Sequence, residues 1–136
     1  MNAFIRPSLI ALVLLAAACG KGGEDAKWPD EPTDGAPLVL EFIGLEGSGN
    51  DTQARMRIFN FGESAVVRMQ LTLHYLDASG KELKDFPWSQ QAPAGVVGGK
   101  GQAVKAMGAF IPEGTAKVTA EVKEVEFKDK KVWKKS

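Results

Sequence analysis

The chain of 136 residues has one cysteine, one histidine and one tyrosine. With Cys19 alone no internal disulfide can form, so an apolar core must hold whatever domain the chain builds. With His74 alone, a zinc centre of several His or Cys ligands is excluded. A Ser–His or Cys–His nucleophile pair would need an orienting third group. Asp77, three residues after His74, falls on the opposite face of a strand. His74 therefore reads as a surface residue. Lys plus Arg and Asp plus Glu each total 17, so no excess of charge draws the chain to nucleic acid. No apolar run approaches the roughly 20 residues of a membrane-spanning helix. No long amphipathic helix pattern and no internal repeat occur.

The one sustained apolar run is Leu9 to Ala18, LIALVLLAAA, behind Arg6 and ahead of Cys19. A positive start, a short apolar stretch and small residues at its end are the three parts of a secretory signal peptide. Ala16, Ala17 and Ala18 before Cys19 resemble the lipobox of bacterial lipoproteins, with Ala16 where that family usually has Leu. The resemblance implies cleavage after residue 18, a diacylglycerol on the Cys19 sulfur and a palmitate-type acyl chain on its amine. It also implies an address in the cell envelope; Gly20 instead of Asp points to the outer membrane. Cleavage at an ordinary A-x-A site after Ala18, leaving a free thiol, stays open on the residues. Two or more acyl chains make membrane binding stable, at about 0.8 kcal/mol per buried methylene.

Beyond Ala18 about 118 residues remain, enough for one domain. Residues 19–37 read as an anchor and spacer. Gly20 to Pro37 holds four Gly, three Pro and seven charged residues, and Trp28 is its one large apolar group. Such a composition does not order itself. As a flexible chain it reaches on the order of 20–25 Å. For Trp28, docking on the domain, the membrane interface and solvent are all open. The acidic groups of this segment lack the alternating ligands of a calcium loop.

From Leu38 the texture is that of β-structure, and residues 38–134 read as one all-β domain. Leu38 to Leu45 is a strand run interrupted by Gly44. Gln53 to Phe59 alternates, with Ala54, Met56 and Ile58 on one face and Arg55, Arg57 and Phe59 on the other. Val66 to Leu76 sets Val67, Met69, Leu71, Leu73 and Tyr75 against Arg68, Gln70, Thr72 and His74, the period of a half-buried strand. Asp77 to Gly80 is a turn. Lys81 to Phe86 is a polar strand that should stop at Pro87 or lie at an edge. Gln90 to Gly101, with four Gly and one Pro, reads as a long mobile loop. Gln102 to Phe110 is a weak strand. Ala116 to Phe127 is a strong one whose apolar parity slips, predicting a β-bulge near Lys123 and Glu124. A last short strand is expected around Val132 and Trp133.

Six or seven strands without a helical crossover predict an immunoglobulin-like antiparallel β-sandwich, with a small barrel as the alternative. Asn60 after a strand, Leu73-His-Tyr75-Leu-Asp77 with Gly80, Ile111-Pro-Glu113, and Phe127 with Trp133 resemble the small immunoglobulin-like domains of bacterial lipoproteins, the FxLYD-type group among them. Leu73 replaces the Phe of that motif, and its Tyr and Leu positions are exchanged. The resemblance implies a non-enzymatic domain without cofactor or metal. It would face an envelope protein partner and sit at the membrane through the lipid on Cys19.

Two contact surfaces are predicted. The tail from Lys128 to Lys135 carries five lysines around Trp133, and Lys130, Lys131, Trp133 and Lys134 are candidates for contact with anionic headgroups. Edge protection by lysine is the alternative use of the same residues. The alternative function is an accessory ligand-binding domain that takes a glycan or muropeptide with the loop Gln90–Gly101 and nearby Trp88; Trp88 and Trp133 are also candidates for an aromatic platform for glycan. The glycines of that loop do not have phosphate-loop spacing.

Overall fold

A computed structural model of the chain describes residues 26–136. The export segment and Cys19 lie outside the described residues. The domain has seven strands: β1 (Leu38–Glu46), β2 (Gln53–Asn60), β3 (Val66–Leu76), β4 (Glu82–Gln91), β5 (Gln102–Met107), β6 (Lys117–Phe127) and β7 (Val132–Lys134). They form two antiparallel sheets, in the order β1-β2-β5 and β4-β3-β6-β7. The chain changes sheet between β2 and β3, between β4 and β5, and again between β5 and β6. This is an open sandwich of immunoglobulin-like type and not a barrel.

The core lies where the alternation places it. Ala54, Met56 and Ile58 of β2 face Met69, Leu71, Leu73 and Tyr75 of β3, all fully or almost fully buried. Val118 and Val125 of β6 and Leu38 of β1 complete it. The parity slip in β6 is a bulge: Glu124 pairs with Gln70 and Val122 with Leu71, so Lys123 is the extra residue. The irregularity at Gly44 also appears as a register shift, between Phe42 and Gly44.

Two expectations need correction, and a third is decided between its alternatives. Val66, not Val67, is the buried valine that opens β3, because a second shift between Val66 and Arg68 turns it inward against Phe127. Of the two possibilities for Pro87, the edge position holds: β4 runs through it to Gln91, pairing Pro87 with Thr72 and Trp88 with Leu71. It is an edge strand, so the missing donor costs no ladder bond on its open side. The segment after it is not a free loop. Val96 and Val97 are each 3 % exposed, and they exchange backbone hydrogen bonds with Val66. Two adjacent valines among glycines were the sign that this stretch enters the core.

Residues 26–37 form no strand, yet they lie against the sandwich. The Trp28 ring packs on Phe59 at 5.2 Å and on Phe61 at 5.1 Å. Gln102 Nε2 donates to the Ala26 carbonyl at 3.3 Å, and Ala36 is buried. Phe59 is on the otherwise polar face of β2 and is completely buried there. The lone tryptophan of the spacer is its cover.

The strand directions divide the loops between two ends. One end gathers residues 26–37, the β2–β3 connection 61–65, the loop 92–101 and the β6–β7 turn 128–131. The other gathers the turns 47–52 and 77–81 and the loop 108–116.

Candidate functional site

The end that receives the N-terminal segment is knitted around Asn60, the last residue of β2 and fully buried. Its Nδ2 donates to the carbonyls of Ser64 and Gly98, each at 3.0 Å, and its Oδ1 accepts from the Gly62 amide at 2.8 Å. Its own amide donates to the Gly101 carbonyl. One amide side chain thus ties two loops together with every polar atom satisfied. The β6–β7 turn joins the same end: the Lys128 amide donates to the Ala65 carbonyl and the Asp129 amide to Ser64 Oγ.

That turn has a twin at the other end. In the β3–β4 turn the Gly80 amide donates to the Asp77 carbonyl and the Asp77 amide to the Lys81 carbonyl, both at 2.9 Å. In the β6–β7 turn the Lys130 amide donates to Phe127 and the Phe127 amide to Lys131, again both at 2.9 Å. The fourth residue must be left-handed in each. Gly80 has φ 90° and Lys130 has φ 79°. Glycine adopts this freely, whereas an L side chain there costs about 1–2 kcal/mol. The Asp77 carboxyl accepts from Ser79 Oγ and from the Ser79 and Lys81 amides, and these bonds hold its pKa below the usual carboxylate range.

At the other end the second anomaly is Phe110. It is 70 % exposed and left-handed, at φ 53°. Its loop is fixed from below: Tyr75 Oη donates to the Ala109 carbonyl at 3.0 Å and accepts from the Ala109 amide at 3.2 Å. Burial pushes the Tyr75 pKa up, partly offset by that bond. Gly108 has φ 95°, and a Cβ on it would meet the tyrosine oxygen at 2.9 Å, so only glycine lets the loop seat here. Phe86 meets the Phe110 ring edge-on at 6.0 Å, and Lys84 Nζ lies 5.4 Å from the same ring. Beside the loop a shallow pocket of about 460 Å³ is lined by Leu45, Asn50, Thr52, Ile111, Pro112 and Thr115. The residues Gly108 and Pro112 that bracket Phe110 were the sequence sign of a loop here, where a strand to Phe110 was expected.

The predicted contact residues separate. Trp88 is on β4 and Trp133 on β7, the two opposite edges of one sheet, so they form no common platform. Both are half-buried and pack against the core; Trp88 Nε1 donates to Gln90 Oε1 at 3.1 Å. Lys130 and Lys131 are exposed on the turn, and Lys134 is exposed on β7 opposite Glu124. Trp133, Val132, Phe127, Pro37, Glu63 and Lys131 line a pocket of about 340 Å³ at this end, with a mostly apolar wall.

The outer face of the larger sheet is a lattice of charge. Arg68 reaches Glu124 at 2.7 Å and Glu126 at 3.2 Å. Glu121 accepts from Lys135 at 2.7 Å and Lys123 at 3.3 Å, which lowers its pKa to about 2. His74 Nδ1 is 2.9 Å from Glu82 and Nε2 is 3.6 Å from Glu121, so both ring nitrogens face carboxylates. His74, Glu82 and Asp85 each offer an atom within 4.8 Å of the others, but one imidazole and two exposed carboxylates are a poor donor set for zinc. No helix among the described residues is long and apolar enough to cross a membrane. No family model, curated protein or solved structure matches this chain.

Proposed function

We propose that this protein is a lipid-anchored bacterial envelope protein whose β-sandwich is a non-catalytic contact module. The lipid on Cys19 holds it at the outer membrane, and the Phe110 end meets a protein partner. The observation that carries the contact reading is Phe110 itself: a large apolar ring, mostly in water, held in a costly backbone conformation by a buried tyrosine. Exposed aromatic anchors on rigid supports are the usual energetic centres of protein interfaces. Strain of this sort persists where the surrounding structure imposes it, and it clusters at functional positions. The anchor reading is supported by the export segment and Cys19 in the sequence.

The contact reading is tested with a photo-crosslinking phenylalanine analogue at position 110 in intact cells, with position 70 on the charged sheet face as control. A discrete protein adduct from 110 and none from 70 is expected; equal yields from both would sink the reading. Intact mass tests the anchor separately, since an unacylated sulfur on the native product removes it.

A further inference from the structure

The N-terminal segment first meets the sandwich, at Ala26 and Trp28, at the end that holds Gln102 and Phe61, and from there Pro32 and Asp34 pass along its side beside Ala120 and Val122. With lipid on Cys19, the anchor reading on which a membrane-facing surface rests, that end is the one that meets the bilayer. Ala26 is held by Gln102 there, and it is seven positions after Cys19. A trans chain spans at most about 3.6 Å per residue, so the acylated sulfur is within about 25 Å of Gln102. The Trp28 clasp removes residues 28–37 from the spacer.

What the turn 128–131 offers a surface is positive, three lysines against Asp129 alone, with an apolar flank beside it. Lys128, Lys130 and Lys131 are exposed and form no ion pair among the described residues. Lys130 occupies the left-handed position that its twin turn gives to glycine, so the backbone is strained to keep a lysine there. Beside them Val132, 51 % exposed, and Trp133 border the apolar pocket. Over the whole end five lysines are balanced by five carboxylates, so the positive excess is confined to the turn; Glu63 pairs with Lys100 at 3.8 Å, and Asp129 lies within the turn itself, its carboxylate accepting from the Lys131 amide at 3.0 Å. Asp30, Glu31 and Asp34 remain on the N-terminal segment.

We infer that the turn 128–131 is a docking surface for anionic lipid headgroups, which seats the sandwich on the membrane with Trp133 at headgroup level and Phe110 directed away. A lysine near an anionic leaflet strengthens partitioning about fivefold, with a range of roughly a Debye length. The three lysines therefore act only on a domain kept near the leaflet, and an anchor seven residues from Ala26 raises the time the turn spends within that range.

The test uses the full chain purified from membranes and reconstituted in vesicles of phosphatidylcholine alone or with one-third phosphatidylglycerol. A fluorophore is placed by Val132→Cys, or by Ala78→Cys in the twin turn, and quenched by nitroxide-bearing lipid. Quenching at 132 is expected to be several-fold greater in the anionic vesicles and to be lost in about 0.5 M salt. Quenching at 78 is expected to stay low in both. Lys128→Gln, Lys130→Gln and Lys131→Gln together should erase the difference. Equal quenching of 132 in both vesicles, or no response to the three substitutions, overturns the proposal. Should intact mass show a bare sulfur, the anchor reading fails on its own. The soluble Cys19→Ser chain is then sedimented with the same vesicles, and binding that ignores phosphatidylglycerol overturns the docking surface.

Discussion

The two hairpin turns of the larger sheet share one set of backbone hydrogen bonds and differ at the residue that must be left-handed. At the end away from the N-terminal segment that residue is Gly80, and the strain of the end is concentrated instead in Phe110. At the end that receives the segment it is Lys130. Each of these two turns and loops thus sets its end a different side chain in a conformation that favours glycine, an aromatic at one and a cation at the other. Stability would be served by glycine at both. The difference between the ends is one of chemistry presented outward, and the proposal that one end meets a protein and the other a headgroup surface rests on it.

Their supports also differ, and substitutions separate them. The largest effect is expected from Asn60→Ala, which leaves the Ser64 and Gly98 carbonyls and the Gly62 amide without their partner. A loss of about 3 kcal/mol in denaturant unfolding is expected, with faster amide exchange across the loop 92–101. At the other end Tyr75→Phe removes one hydroxyl that serves both polar groups of Ala109. About 1–2 kcal/mol should be lost, with exchange rising at 108–110 and unchanged at 92–101. A similar response of both loops to either substitution would mean that the ends are one cooperative unit.

The twin turns allow a smaller and sharper comparison. Lys130→Gly should raise stability by about 1 kcal/mol, and Gly80→Lys should lower it by about as much. If neither changes the unfolding midpoint, Lys130 is not strained and its position is no sign of function. The smallest effect belongs to the charged face between the ends. Glu121 has its pKa lowered to about 2 by Lys135 and Lys123. A carboxyl depressed in the folded state stabilises above its unfolded pKa, near 4.5, and loses that contribution as pH falls toward 2. Glu121→Gln should therefore flatten the decline of the melting temperature between pH 5 and pH 2.5, and leave both end loops unaffected.

Strand positions were legible because alternation with a period of two reports one buried face, as in β2, β3 and β6. The bulge at Lys123 was legible for the same reason, since an extra residue inverts the parity. Val66 and Val67 were not separable, because adjacent valines are equivalent until a pairing partner selects one. Pro87 lay inside a strand because the constraint on proline is a missing donor, and only sheet order says whether a donor is needed there. Phe59 broke the polar face of β2 and Trp28 broke a polar spacer; each was anomalous alone, and their contact, distant in sequence, explains both. Lys130 and Lys131 were singled out by composition, and Phe110 was missed, since exposure and backbone sign are not written in residue type.

The sequence by itself determined the strand faces, the absence of any internal disulfide, and the apolar run that precedes the sole thiol. Those are local properties, fixed by side-chain spacing and by counting. Tertiary structure alone decided the pairing order, the clasp of Trp28, the burial of the glycine-rich segment and the assignment of Lys130 and Phe110 to opposite ends. Each of these depends on which distant segments meet, and that is settled by packing two sheets face to face and not by any single stretch of chain.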